Sequence, residues 1–263
     1  EYALRQAIAS DQLALFYQPR VSLRDGAIEG AEALLRWFHP DLGEIPPKKF
    51  IRVAEETGLI FDLGTWVFRR ACTQLKDWEA RGLPIRTLSI NFSARQLLMR
   101  DLADRVAVIL AEVGCDARKI EVEITETSML FDVLTTKRVV TALKRLGLRI
   151  AIDDFGTGFS SLSHLQQLDI DALKVDQTFV RDLLVDAGDA AITRAVIGLG
   201  RGIGLQVIAE GVENARQLAF LKECGCDLYQ GFHFSPAINA AAFEDLMRLH
   251  LQATAKTTPR PGR

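Results

Sequence analysis

Glu32, Glu123, Asp153, Asp154 and Glu210 each stand at or near the C-terminal end of a short apolar run: 28–35, 120–126, 148–154 and 205–210. Runs of this kind read as strands that bury most of their side chains, so carboxylates gathered there repel one another and lose hydration. A bound divalent cation offsets both costs and points to an enzyme. Asn91, in the run 87–92, offers a neutral amide oxygen beside them. All these donors are hard oxygens, which select Mg²⁺ or Mn²⁺, or Ca²⁺, over zinc or copper. The adjacent pair Asp153 and Asp154 suits a two-metal centre, in which one carboxylate bridges and its neighbour reaches the second ion. Such a centre activates water for in-line phosphoryl displacement.

Lys174 lies in the apolar run 172–176, where a lysine is costly to bury alone. Paired with the carboxylates it can orient or deprotonate an attacking water; a simple buried ion pair is the plainer reading. The stretch 154–161, Asp-Phe-Gly-Thr-Gly-Phe-Ser-Ser, combines two glycines with hydroxyl residues able to cap a following helix. Two lookalikes are set aside. The glycine-rich stretch 198–204 follows a helix and precedes a strand, the reverse of a dinucleotide site. Cys224-Gly225-Cys226 has no second Cys or His pair to complete a zinc site, and the four histidines lack ligand spacing.

The elements that must position these residues alternate along the chain. After a short N-terminal helix, 13–18 and 27–37 read as a hairpin turned at Asp25 and Gly26. Strands at 87–92, 120–126, 148–154, 173–176, 205–210 and 228–231 are then separated by helices at 102–113, 133–146, 161–167, 187–201 and 214–223, with earlier helices at 47–57 and 62–81 and a last one at 240–249. Repeated β-then-α units without an interior linker imply parallel strands covered by helices. About eight strands fit a closed, modified TIM (β/α)8 barrel, with one strand of the opening hairpin antiparallel to the rest. In such a barrel the C-terminal strand ends build one rim, where the acidic residues converge. One domain over 1–250 and a polar, disordered tail over 251–263 are expected.

The 263 residues are 48% hydrophobic and 25% charged, with net charge −2, an ordinary globular balance with no electrostatic case for a DNA or RNA polymer as partner. Four scattered cysteines predict a reducing, cytoplasmic setting, and no run is apolar enough to span a membrane. A chain opening on Glu1 and closing in a polar tail reads as a piece of a longer protein.

Several motifs together resemble the EAL-domain cyclic-di-GMP phosphodiesterases. Glu32-Ala33-Leu34 stands within 30–37, preceded by Tyr17-Gln18-Pro19, and the likeness continues through 89–93, 123–126, 153–161, 174–176, 208–213 and Gln230-Gly231. The resemblance implies hydrolysis of one phosphodiester of cyclic-di-GMP to linear pGpG, with a silent cyclic-di-GMP receptor as the alternative. It implies that Glu32, Asn91, Glu123 and Asp153 hold one Mg²⁺ or Mn²⁺, and Asp153, Asp154 and Glu210 a second. Lys174 becomes the base or water-orienting group, and Gln230 positions water or substrate. Gln18, Arg36 and Asp176 become substrate contacts, with Arg36 facing a phosphate. Glu126 and Glu213 support the 155–161 loop, and Phe159 replaces a tyrosine frequent in the family. A homodimer through that loop is also implied, as are sensory or diguanylate-cyclase-like domains in the full-length chain, whose membrane attachment is left open.

Overall fold

The computed structural model describes residues 1–158, 165 and 167–257. Helix α1 (Tyr2–Ile8) leads into β1 (Leu13–Ser22) and β2 (Ile28–His39), followed by β3 (Gly43–Ile45), α2 (Pro47–Thr57) and α3 (Ile60–Ala80). Next come β4 (Thr87–Phe92), α4 (Ala94–Leu97), α5 (Leu102–Val113), β5 (Ile120–Thr125), α6 (Glu126–Phe131), α7 (Val133–Arg145) and β6 (Arg149–Phe155). The chain continues through β7 (Ala172–Val175), α8 (Gln177–Arg181), α9 (Ala187–Gly202), β8 (Gln206–Ala209), α10 (Ala215–Cys224), β9 (Leu228–Tyr229), β10 (Ile238–Asn239) and α11 (Ala240–Thr257).

Eight strands close into a barrel in the order β1, β2, β4, β5, β6, β7, β8, β9, with β1 pairing both β2 and β9. The expected modified TIM barrel is therefore present. Its one reversed strand is β1, antiparallel to both neighbours, because a short turn at Asp25 and Gly26 joins it to β2 and only antiparallel strands can be joined so tightly. β3 and β10 are short antiparallel additions to β2 and β1. The final helix runs to Thr257, past the expected start of the tail at 251. Phe159 and, apart from residues 165 and 167, the expected helix at 161–167 lie outside the described residues.

Alternation along each strand divides two environments. Leu88, Ile90, Ile120, Val122, Ile124, Ile150, Ile152, Leu173, Val175 and Val207 face outward and are buried under the helices in one large core. The alternate positions face the barrel interior, and most of them are polar: Gln18 and Arg20 on β1, Glu32 on β2, Ser89 and Asn91 on β4, Glu121 and Glu123 on β5, Asp153 on β6, Lys174 on β7. The interior is apolar around Ala151, Ala172, Ile208 and Leu228, a small cluster on β6 to β9. One close approach requires glycine. A Cβ on Gly30 would stand 2.1 Å from the Thr87 carbonyl oxygen, so the seam between β2 and β4 closes only without one. Among the described residues no helix is long and apolar enough to cross a membrane.

Candidate active site

Lys174 is at the centre. Its ammonium has no solvent exposure and lies 2.6 Å from Glu123 Oε2, 2.6 Å from Glu210 Oε1, 3.0 Å from Asp153 Oδ1 and 3.3 Å from Glu32 Oε2. Burial works against its charge, but Asp153, Glu123, Glu210 and Glu32 outweigh it and hold the lysine protonated well above its ordinary range. The structure thus brings together four of the five carboxylates from four strands, Glu32 from the middle of β2 and not from its end, because that strand runs on to His39. Asp154, the fifth, is carried by its neighbour Asp153. Asp153, Asp154 and Glu210 can each aim a carboxylate oxygen within 4.8 Å of the others.

Neutral groups complete this layer. Asn91 Nδ2 donates to Glu32 Oε1 at 2.7 Å, which leaves its amide oxygen for a cation. Gln230 Nε2 donates to Glu32 Oε2 at 2.6 Å and to Glu210 Oε1 at 2.8 Å. Asp154 is the one non-glycine residue with positive φ among the described residues, at 53°, a conformation that short polar side chains tolerate best.

The carboxylates do not share one electrostatic state. Burial opposes ionisation of Glu32, yet Lys174, Arg20 and the Gln230 and Asn91 hydrogen bonds bring it down to about 2. Burial pushes Glu123 up to about 7 despite Arg20 and Lys174, with Glu32 and Asp153 adding to the rise. Asp154 also rises to about 7, through burial, Asp153 and a hydrogen-bonded Asp176, and burial carries Glu210 well above its usual range. The pocket holds more carboxylate than its lysine and arginine neutralise. That excess, with an all-oxygen donor set, fits hard divalent cations.

Below this layer lies a second one that the sequence reading missed. Arg20 is only 2% exposed and donates through Nε to Gln230 Oε1 at 3.1 Å and through Nη1 to Glu121 Oε1 at 2.6 Å; it also donates to Ser89 Oγ and to Glu123 Oε1. Arg149 Nε lies 3.3 Å from the other oxygen of Glu121. The signal was available: Glu121 and Ser89 stand two residues before Glu123 and Asn91, hence on the same strand face one layer down.

The remaining expected residues sit around the rim. Gln18 Nε2 donates to the Ser235 carbonyl at 3.3 Å. Arg36 lies 3.4 Å from Glu44 and 5.7 Å from the centre of the Phe16 ring. Asp176 Oδ1 accepts from the Thr178 N–H at 2.8 Å and caps α8, so its carboxylate is engaged in the fold. Glu126 Oε2 accepts from the N–H of Gly156 at 2.8 Å and of Gly158 at 3.4 Å. Glu213 lines a cavity of about 290 Å³ with Gln18, Glu32, Asp153, Glu210 and Gln230. A larger cavity of about 560 Å³, lined by Arg36, Asn91, Gln96, Asp153 and Asp154 among others, opens on the other side.

The family model of the EAL domain matches residues 1–237. The chain belongs to the EAL domain family. This EAL domain is 41% identical over 250 residues to the cyclic di-GMP phosphodiesterase NbdA of Pseudomonas aeruginosa, covering 95% of the domain and 32% of that protein. It is 40% identical over 249 residues to the cyclic di-GMP phosphodiesterase PdeR of Escherichia coli, covering 95% and 37%. The EAL domain therefore spans about a third of the length of these relatives. Among solved structures, the PaMucR phosphodiesterase in complex with c-di-GMP superposes with a TM-score of 0.89 at 39% identity, over 92% of this chain and 98% of that one.

Proposed function

We propose that this domain hydrolyses one phosphodiester bond of cyclic-di-GMP to linear pGpG, with two Mg²⁺ or Mn²⁺ ions held by Glu32, Asn91, Glu123, Asp153, Asp154 and Glu210. The observation that carries this reading is the place of Asp153, which lines both cavities. A ligand broad enough to occupy both lays its middle across the carboxylate layer, and the middle of a cyclic dinucleotide is its phosphodiester ring. The relatives named as cyclic di-GMP phosphodiesterases and the c-di-GMP complex support the choice of substrate.

When bound, the cations supply Lewis-acid activation of water and neutralise charge on the phosphoryl group. The chain's own residues do the rest. Lys174, buried and cationic, orients the attacking water and holds negative charge at the reacting centre. Gln230 presents its NH₂ group to the same layer. Arg36, at the mouth of the larger cavity, exchanges its exposed partner Glu44 for a substrate phosphate, and Gln18 contacts the nucleotide from the smaller one. Glu126 holds Gly156 and Gly158 and with them the start of the 155–161 loop.

The deciding experiment incubates the purified domain with cyclic-di-GMP and Mg²⁺, then Mn²⁺, beside a chelator control, and separates the products by chromatography. Cation-dependent pGpG is expected, and loss of turnover in Glu32→Ala. Tight nucleotide binding without hydrolysis would replace this reading with a silent receptor. We further infer that the domain acts in the cytoplasm as a homodimer through the 155–161 loop, beside sensory or diguanylate-cyclase-like domains. Its span of about a third of its relatives supports the last point. A strictly monomeric mass in solution at high concentration would count against the dimer.

A further inference from the structure

Arg20 stands one layer below the proposed cation site and touches that site at two points. β1 runs antiparallel to its neighbours, so the chain descends from Gln18, opposite Glu32, to Arg20, opposite Gly30. At that depth the guanidinium meets two fixed anchors, Glu121 and Ser89, which are themselves joined by a 2.9 Å hydrogen bond from Ser89 Oγ to Glu121 Oε1. Its other two contacts reach upward, to Glu123 Oε1 and Gln230 Oε1.

Each upward contact decides an orientation. A guanidinium only donates, so Gln230 must turn its carbonyl oxygen toward Arg20. The Gln230 NH₂ group is then directed at Glu32 and Glu210, where it donates to both. A flipped amide would set NH₂ against the guanidinium and a carbonyl oxygen against two carboxylates. Glu123 is treated in the same way: Oε1 is held by Arg20 from below, which leaves Oε2 turned to the layer of Lys174, 2.6 Å away.

We propose that Arg20 is a positioning residue, a buried fork that sets the rotation of the Glu123 carboxylate and the flip of the Gln230 amide and so shapes the cation site without touching substrate. This rests on the hydrolase reading above for its consequence in turnover, but its consequence for cation binding stands apart from it. Lysine cannot substitute, because a single ammonium reproduces the charge and not the planar set of four directed contacts. A guanidinium keeps its proton at any working pH, so the fork is always present.

The test compares wild type with Arg20→Lys and Arg20→Gln. Mn²⁺ affinity is measured by calorimetry, melting temperature with and without Mn²⁺, and kcat and KM for cyclic-di-GMP at saturating Mn²⁺. R20K keeps the buried charge balance and is expected to fold, with Mn²⁺ affinity lowered at least tenfold, kcat lowered at least tenfold and KM within about threefold of wild type. R20Q retains planar hydrogen bonding and guards against R20K failing to fold; the same loss of Mn²⁺ affinity is expected there. A folded variant of either kind that binds Mn²⁺ within twofold of wild type and melts lower overturns the proposal, leaving Arg20 a stabilising ion pair. A wild type that binds Mn²⁺ and cleaves nothing defeats the hydrolase reading alone, and the Mn²⁺ comparison still decides Arg20.

Discussion

The ammonium of Lys174 lies 2.6 Å from the carboxylate of Glu123, and neither side chain is exposed to solvent. A buried cation among four carboxylates is the feature on which the folded site depends. Breaking a buried pair by removing one partner costs about 3–5 kcal/mol. Lys174→Ala should therefore melt well below wild type in chelator, lose at least a hundredfold in turnover, and regain more melting temperature on Mn²⁺ addition than wild type does. Equal melting in chelator would show that Lys174 does not neutralise the cluster.

Asp154 is held at φ 53° beside Asp153, with its carboxyl raised to about 7 by burial, Asp153 and Asp176. Asparagine accepts that backbone conformation as well as aspartate does, so Asp154→Asn removes charge without removing the turn. The metal-free variant should be at least as stable as wild type, while Mn²⁺ affinity falls at least tenfold. Calorimetry and melting curves read both; unchanged affinity would take Asp154 out of the donor set.

Gly30→Ala tests the seam between β2 and β4. With a Cβ 2.1 Å from a backbone oxygen, the strands must part, and overpacking of this kind costs about 1–3 kcal/mol or more. Denaturant unfolding should show that loss, together with weaker cation binding, because Glu32 lies two residues along the same strand.

Glu126 receives the amides of Gly156 and Gly158. Glu126→Ala should accelerate hydrogen exchange at those two amides while leaving exchange in β5 and β6 unchanged. Unaltered exchange at Gly156 would mean that the carboxylate does not restrain the loop.

Cys226 supplies a pH dependence away from the carboxylate cluster. Burial, then Asp227, push its thiol up to about 12. Between its ordinary range near 9 and about 12 the unfolded chain releases a proton that the folded chain retains, so stability is lost as pH rises through that window and is unaffected below it. Each pH unit is worth at most about 1.4 kcal/mol. Cys226→Ser should flatten the decline in melting temperature between pH 9 and 11 relative to wild type. At pH 8, alkylation should reach Cys115, whose thiol is held low by the Cys72 thiol, before it reaches the buried Cys226.

The barrel's order of strands and helices could be read in advance because parallel strands buried on both faces leave continuous runs between amphipathic helices. Strand 120–125 carries both signals at once: Ile120, Val122 and Ile124 pack outward, while Glu121 and Glu123 point inward. The short elements β3, β10, α4, α6 and α8 escaped because two to six residues hold too little periodicity to distinguish them from turns. The family resemblance makes Asp176 a substrate contact, and the structure shows its Oδ1 capping α8. An aspartate before a helix satisfies either description until the backbone amides are located.

By itself the sequence pointed to the kind of chemistry. Hard oxygen donors on several strands, with one lysine among them, suit divalent cations, and the C-terminal ends of parallel strands share one rim. Tertiary structure alone decided depth across strands. Period-two spacing tells which residues of one strand lie a layer apart, and the hairpin tells that one of its strands is reversed. Which residue of one strand meets which of another depends on the stagger of the closed sheet, which no single strand carries. Arg20, two residues past Gln18 on the one reversed strand, comes to rest below Glu123 and Gln230 for that reason.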